Sequence, residues 1–213
     1  MKKLKAIALI SGGIDSPIAV YLMMKNGVEV VALHLDSQLY SDETPLKQTK
    51  ESIKILEKKL GKKIKLHVVP HAKIQKEIAE KCDYHLRCVI CRRMMYRIAE
   101  KLAGRESADF IVTGESLGQK ASQTLSNLCV IDSAVKIPVL RPLIGFDKED
   151  TIKIARDVGT FETTATSGGC CALLPNQPAT YAASQRVENE EKKLDIGRLI
   201  NETLKGAVKN ISE

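Results

Sequence analysis

The stretch LISGGIDSPIAVYLMMKNG, residues 9–27, decides the fold of this 213-residue chain. It closes an apolar run that starts at Ala6, turns at two adjacent glycines and continues into an apolar, helix-like stretch. Along the rest of the chain, short apolar runs bounded by Gly, Pro and Asp alternate with amphipathic stretches, a pattern typical of a parallel sheet covered by helices. We therefore predict an α/β fold with a doubly wound, Rossmann-like parallel sheet, whose ligands bind beyond the carboxyl ends of the strands.

The apolar runs define the predicted strands, and the amphipathic stretches define the predicted helices. Strands are expected at 6–10, 29–35, 65–69, 110–113 and 138–140. Helices are expected near 16–26, 45–60, 72–81, 88–103, 117–128 and 148–158. Residues 160–180 are too rich in Thr, Gly and Pro for a regular element, and a polar helical tail follows them. We predict a single domain, with its main body at 1–175 and a helical C-terminal extension at 176–213.

The composition favours a polyanionic partner. Lys and Arg number 33 against 26 Asp and Glu, which gives a net charge of +7. Such a balance suits RNA or nucleotide phosphates, although a well-solvated lysine-rich surface produces it too. No apolar run approaches the roughly 18 residues needed to cross a membrane, and the N-terminus lacks the apolar core of a signal peptide. We expect a cytoplasmic protein that does not bind membranes.

The turn SGGIDSP, residues 11–17, has the features of a phosphate-binding loop. Adjacent glycines let the backbone approach an anion, and the helix that follows points its positive end at the same place. A carboxylate at Asp15 would repel a phosphate unless Mg²⁺ lies between them. No lysine precedes Ser16, which argues against the P-loop and its γ-phosphate chemistry. The alternative is a plain strand-to-helix turn with Asp15 as the N-cap.

Five segments of the chain together resemble one enzyme family. They are residues 9–27, 88–103 (CVICRRMMYRIAEKLA), 111–128 (IVTGESLGQKASQTLSNL), 137–160 (IPVLRPLIGFDKEDTIKIARDVGT) and 175–180 (PNQPAT). They resemble the PP-loop domain of the tRNA 4-thiouridine synthetases (ThiI), which are ATP pyrophosphatases. The resemblance implies that uridine in tRNA is adenylated, with ATP converted to AMP and pyrophosphate, and that sulfur then replaces its oxygen. The RNA-binding THUMP region and the rhodanese domain of that family are not recognisable, so we expect a stand-alone PP-loop domain.

The resemblance also assigns the nucleotide site. The residues implied to bind ATP are Leu9, Ile10, Ser11, Gly12, Gly13, Asp15, Ser16, His34, Leu35, Arg92, Gly114 and Gln123. Asp15, through Mg²⁺, and Lys148, at the start of a predicted helix, are implied to stabilise phosphate charge during adenylation. Without the resemblance, His34 is better explained as a buried strand histidine. Ser116 is expected to cap a helix that carries Gln119 and Gln123 on one face.

The six cysteines include two informative pairs, Cys88 with Cys91 and Cys170 with Cys171. A single C-x-x-C is compatible with a redox pair, half of a zinc site or two packed thiols. The resemblance implies that Cys170, or else Cys171, is the catalytic cysteine of its loop. It further implies that Cys88, Cys91 and Cys170 hold a [4Fe-4S] or [3Fe-4S] cluster. An iron left open would bind sulfide, whereas without a cluster the sulfur would come from a persulfide carrier.

The expected partners are tRNA, with a separate RNA-binding chain, and a sulfur donor. A set of basic residues gives the predicted helix 88–103 and its flanks a character suited to an RNA backbone, with a solvated helix as the alternative. This set is Arg87, Arg92, Arg93, Arg97, Lys101 and Arg105. Two rival functions stay open, an adenylating enzyme with a non-RNA acceptor and a nucleotide-binding sulfur-relay subunit. A homodimer also stays open.

Overall fold

The structure is a computed structural model that describes residues 3–37, 44–165, 173 and 175–209. Its sheet has the order β5-β4-β1-β2-β3-β6. The strands are β1 (Lys5–Leu9), β2 (Glu29–Asp36), β3 (Lys65–Pro70), β4 (Phe110–Val112), β5 (Val139–Leu140) and β6 (Val208–Lys209). The first five are parallel, which confirms the five predicted strands and the fold class. The short β6, which runs antiparallel beside β3, was not predicted.

Nine α-helices are described in these residues. They are α1 (Asp15–Lys25), α2 (Thr44–Leu60), α3 (Ala72–Lys81), α4 (Arg87–Glu106), α5 (Leu125–Asp132), α6 (Lys148–Val158), α7 (Phe161–Ala165), α8 (Ser184–Glu191) and α9 (Ile196–Lys205). Short 3-10 turns lie at Tyr84–Leu86 and Ala121–Gln123. No helix in the described part of the chain is long and apolar enough to cross a membrane.

The sheet buries a separate hydrophobic core on each face because successive side chains of a strand point to opposite sides. Ile7 and Leu9 of β1 face the core formed with α3, α4, α5, α8 and α9. Ala6 and Ala8 face the core formed with α1, α2 and α6. The central strands therefore lie between two helical layers, and the loops at their carboxyl ends are left to form a site.

The predicted helix at 117–128 is wrong in its first half. Gly118 has φ +74°, in the left-handed region, and the chain there forms a turn. Ser116 does not cap a helix, because its hydroxyl donates to the carbonyl of Leu143 at 2.9 Å. The helix begins only at Leu125, after Thr124, whose side chain accepts the N–H of Asn127.

The predicted basic surface of α4 is wrong for Arg93 and Arg97. Both guanidinium groups donate to the carboxylate of Glu191 in α8, and the side chain of Arg93 is only 4% exposed. Arg87 is also partly buried and donates to the carbonyl of Ala79. Arg93 and Arg97 thus link the C-terminal extension to α4, because a buried charge is stable only beside an opposite charge. Arg87 links α4 to α3.

Candidate active site

Residues 11–16, which run from the turn after β1 into the first turn of α1, form the predicted phosphate-binding loop, called the phosphate loop below, and its two serines contact each other. The N–H of Ser11 donates to Ser16 Oγ at 2.8 Å, and Ser16 Oγ lies 3.2 Å from the carbonyl oxygen of Ser11. Ile14, rather than Asp15, occupies the N-cap of α1, and no side chain caps the helix. Asp15 is therefore not needed as a cap, and its carboxylate is available for another task.

Gly12 and Gly114 allow two chain segments to approach the loop closely. A Cβ on Gly114 would lie 2.6 Å from the backbone nitrogen of Ser16, and one on Gly12 would lie 2.8 Å from the Cα of Pro45. A Cβ in a folded protein does not lie this close to a non-bonded backbone atom, so neither methyl group would fit. The loop after β4 is thus packed directly against the phosphate loop, and only glycine fits at these two positions.

The Gly114→Ala variant is expected to bind ATP at least tenfold more weakly, because the new methyl group pushes the backbone of residues 15 and 16 out of place. A loss of stability of about 1–3 kcal/mol should accompany it. Gly145→Ala is the matched control, since nothing lies within 4 Å of a Cβ there. Equilibrium binding of ATP and thermal unfolding check both variants, and equal affinities would contradict the prediction.

A cavity of about 220 Å³ lies at the carboxyl ends of β1, β2 and β4. All the ATP-binding residues implied by the resemblance line it, except Gly12, which is buried behind the loop. Sequence reasoning missed Met95, Thr113, Glu115 and Lys120, which line the same cavity. The structure therefore brings the predicted nucleotide residues together from five separate segments of the chain.

His34 of β2 lines this cavity and contacts Ile10, the residue that follows β1. The side chain is buried, and Nδ1 lies 3.0 Å from the carbonyl oxygen of Ile10 and 3.2 Å from Thr49 Oγ1. Burial lowers the pKa of His34, against the opposing effects of the Ile10 hydrogen bond and the Asp36 charge. The imidazole is therefore neutral at pH 7, and we assign its proton to Nδ1 because a carbonyl can only accept.

Lys148 supplies a positive charge to the phosphate loop from the start of α6. Its Nζ lies 3.1 Å from Asp15 Oδ1 across a sequence separation of 133 residues. Glu149 and Asp150 in the same helical turn offset the unfavourable interaction of Lys148 with the helix dipole. Asp15 and Lys148, two of the predicted catalytic residues, are thus in contact.

Glu115 is a buried carboxylate at the back of the cavity. Oε2 accepts hydrogen bonds from Tyr96 OH at 2.5 Å, Thr113 Oγ1 at 3.0 Å and Arg141 Nε at 2.9 Å. Burial by itself would raise the pKa of Glu115, but the charge of Arg92 and these hydrogen bonds hold it below the usual value. Glu115 is therefore ionised. An acidic residue directly after the strand-end Thr-Gly was the sequence signal that could have found it.

A second, larger cavity of about 690 Å³ adjoins the first. The two cavities share four lining residues, which are Ser11, Arg92, Met95 and Lys120. Cys88 and Cys91 line only the larger one, together with Leu173. Both cysteines of the C-x-x-C therefore face the neighbourhood of the phosphate loop.

A histidine contacts one of these thiols. His71 Nε2 lies 3.2 Å from Cys91 Sγ, and burial lowers the pKa of His71 to about 4, so that the ring is neutral. Cys170 and Cys171 lie outside the described residues, in the segment just before Leu173. Among residues that the structure does describe, no group of three or more His, Cys, Asp or Glu side chains is placed to hold a metal ion.

Cys82 and Cys129 belong to neither cavity lining. Cys82 is buried, and its Sγ lies 3.7 Å from the carbonyl oxygen of Glu190. Burial and the nearby charge of Glu190 raise the pKa of its thiol to about 11. Cys82 therefore stays a protonated, packed thiol, because the reactive form of cysteine is the thiolate.

Comparison with curated proteins gives relatives of one kind. Proteins named "Probable tRNA sulfurtransferase" from Caldanaerobacter subterraneus subsp. tengcongensis and Methanosarcina mazei are 43% and 37% identical to the chain. The alignments cover 92% and 95% of this chain, and 52% and 50% of the relatives. The chain thus spans about half the length of the curated relatives it matches.

Solved structures and a family model agree with these relatives. A 4-thiouridine synthetase in complex with RNA and bound ATP has a TM-score of 0.92 and 34% identity, covering 97% of this chain and 54% of that one. NMN synthetase from Francisella tularensis shares the fold, with a TM-score of 0.59 and 15% identity over 97% of this chain and 78% of that one. The family model described as "Thiamine biosynthesis protein (ThiI)" matches residues 2–196. Because this match runs through the phosphate loop and both cavities, the chain belongs to the ThiI family.

Proposed function

We propose that this chain is the ATP-using unit of a tRNA sulfurtransferase that converts uridine in tRNA to 4-thiouridine. The observation that carries the proposal is the pair of adjoining cavities, one lined by the phosphate loop and the other by the C-x-x-C. The first suits cleavage of ATP, and the second suits delivery of sulfur to the activated base. The names of the relatives and the ATP and RNA of the similar structure support the same reading.

In the first step, the smaller cavity would hold ATP with its phosphates at the loop of Ser11 to Ser16. The uridine O4 attacks the α-phosphorus, the bond to the bridging oxygen of the β-phosphate breaks, and pyrophosphate leaves with the electron pair. Lys148 and Arg92 donate to the phosphate oxygens, where negative charge grows in the transition state. No lysine of the loop competes for the γ-phosphate, which favours cleavage between α and β.

Mg²⁺ fits the chemistry of this site. Asp15 is a carboxylate on the cavity wall whose side chain is 25% exposed, and it would hold the ion together with phosphate oxygens. When bound, Mg²⁺ would neutralise phosphate charge. Lys148, already 3.1 Å from Asp15, contributes its own positive charge at the same place.

In the second step, sulfide attacks C4 of the adenylated uridine and AMP leaves. Cys88 and Cys91 present two thiol ligands to the larger cavity, and Leu173, which follows the Cys170 segment, lines that cavity too. These thiols suit a [4Fe-4S] or [3Fe-4S] cluster with Cys170 as the third ligand. In the [4Fe-4S] form, three cysteine ligands would leave one iron open to bind sulfide. In the alternative chemistry a persulfide carrier delivers sulfur, and Cys170 or Cys171 is the catalytic thiol.

We further propose that most contacts to tRNA come from an RNA-binding region outside the described residues. Two of the basic residues expected to face RNA on α4 are used elsewhere, because Arg93 and Arg97 bind Glu191. A separate RNA-binding chain would supply the missing contacts. The place of action would be the cytoplasm, where ATP and tRNA are both available.

Adenylation is tested with anaerobically purified protein, ATP, sulfide, transcribed tRNA and an added THUMP-type RNA-binding protein. We expect AMP and pyrophosphate to form only when tRNA is present, and 4-thiouridine to appear in the digested tRNA by mass spectrometry. ATP cleavage with a non-RNA acceptor instead would favour the rival adenylating enzyme. The absence of any tRNA-dependent cleavage would rule the proposal out.

The sulfur donor is tested by iron and acid-labile sulfide analysis of the same protein. Cys88→Ala should lose the iron, whereas Cys129→Ala, an exposed thiol outside both cavity linings, should keep it. An iron-free wild-type protein would favour the persulfide chemistry of Cys170 or Cys171.

A further inference from the structure

We propose that Glu115 is a positioning residue, which holds Arg92 in the orientation that binds the phosphates of ATP. The inference rests on the proposed binding of ATP in the smaller cavity. It concerns a residue that makes no contact with phosphate itself and acts through the guanidinium group in front of it.

The two oxygens of Glu115 have different surroundings. Within the described part of the chain, the carboxylate receives three hydrogen bonds, and all of them go to Oε2, from Tyr96, Thr113 and Arg141. Oε1 is buried and accepts a hydrogen bond from no described residue, and the guanidinium nitrogen NH1 of Arg92 lies 3.4 Å away. A buried carboxylate oxygen without a hydrogen bond is unusual and calls for a reason. Its proximity to the positive charge of Arg92 supplies that reason.

The charges of the cluster lead to the same assignment. Arg141 forms two short contacts with the carboxylate of Asp132, at 2.5 and 3.0 Å, besides its bond to Glu115. Asp132 thus compensates Arg141, and the charge of Glu115 is left to balance Arg92. Arg141 thus contacts two carboxylates, whereas Glu115 is the carboxylate that lies beside Arg92.

Arg92 lies where the orientation of its guanidinium group would affect the binding of ATP. Its side chain lines both cavities and is 27% exposed, so that the guanidinium reaches the space where phosphate would lie. A guanidinium carries five N–H donors in a fixed plane, so attraction of one nitrogen to a buried carboxylate leaves the other donors for a ligand. Holding this plane in advance removes the ordering that ATP would otherwise have to impose.

A double-mutant cycle separates positioning from a purely structural role. The probe is α,β-methylene ATP, which cannot be cleaved at the reacting bond, and its dissociation constant is measured by equilibrium binding. Glu115→Gln should weaken binding roughly tenfold in the wild-type background. In the Arg92→Ala background the same substitution should change binding by less than twofold, because its target is gone. If the Gln variant fails to fold, Glu115→Asp takes its place in the cycle. The shorter side chain keeps the negative charge but places it farther from Arg92.

Tyr96→Phe is the matched control, because it removes a donor from Oε2 and leaves Oε1 beside Arg92. We expect it to lower the melting temperature while binding of the probe stays within twofold of wild type. Equal losses from Glu115→Gln in both backgrounds, or no loss in either, would overturn the inference alone. A wild-type protein that does not bind the probe would contradict the proposed function as well.

Discussion

Replacing Lys148 by alanine is expected to slow tRNA-dependent AMP formation by about 10²–10³-fold, the effect of removing one donor that stabilises transition-state charge. Lys148 reaches the phosphate loop from α6, and its Nζ lies 3.1 Å from Asp15. Its side chain is 48% exposed, and an exposed ion pair of this kind contributes at most about 1 kcal/mol to stability. The variant should therefore lose activity and keep its fold.

Single-turnover measurements of AMP formation with saturating ATP, alongside thermal unfolding, test this expectation. Lys153→Ala provides the control, because Lys153 is an exposed lysine on the same helix. Lys148→Arg keeps the charge but changes its shape, and it should retain part of the rate. A Lys148→Ala enzyme within threefold of the wild-type rate would show that the cation has no part in the adenylation step.

Replacing Glu191 by alanine is expected to lower the free energy of unfolding by about 3–5 kcal/mol, the usual cost of breaking a buried ion pair from one side. Glu191 is 5% exposed and receives hydrogen bonds from both Arg93 and Arg97. Without Glu191, Arg93 keeps a positive charge in the protein interior, and α8 loses the ion pairs that link it to α4. Urea denaturation gives the free energy, and Glu188→Ala, at an exposed position on the same helix, should change it little.

The contribution of Glu191 also has a defined dependence on pH. Burial by itself would raise the pKa of Glu191, but the hydrogen bonds and charges of Arg97 and Arg93 hold it below 4.5, its ordinary value. A carboxyl group whose pKa is lowered in the folded state stabilises fully above its unfolded pKa, and this stability is lost as the pH falls below it. The difference between wild type and Glu191→Ala should thus be constant above pH 6 and shrink below pH 4.5. A difference that does not shrink would refute the ion-pair explanation.

The sequence predicts those parts of the structure that depend on local pattern. All five parallel strands are apolar runs, and the adjacent Gly12 and Gly13 mark the turn between the first strand and the first helix. The helix at 117–128 was misjudged because two features oppose it, the left-handed conformation of Gly118 and the bond from Ser116 to the distant Leu143. Strand β6 was missed because its two residues are ordered by pairing with β3, which periodicity does not reveal.

The candidate site was likewise predicted only in part, because some of its contacts join residues that are far apart in the sequence. The predicted ATP-binding residues were implied by the resemblance, whereas the role of Glu115 depends on its contacts with Tyr96, Arg141 and Arg92 from separate segments of the chain. The exposure of Arg93 and Arg97 was misjudged because Glu191, which covers them, lies more than 90 residues away in the sequence. Contacts of this kind depend on how the layers pack.

Under the proposed function, the residues that line both cavities affect how many ATP molecules each thiolation consumes. An adenylated uridine is vulnerable to water, which would regenerate the original base and waste one ATP for each failed attempt. Under the proposed function, sulfur from the larger cavity would reach the activated carbon beside Met95 and Arg92, which line both cavities. The number of AMP molecules formed per thiolated tRNA would therefore measure how well the site keeps water away from the adenylated uridine. Under the proposed function, a polar residue in place of Met95 should raise that ratio above one.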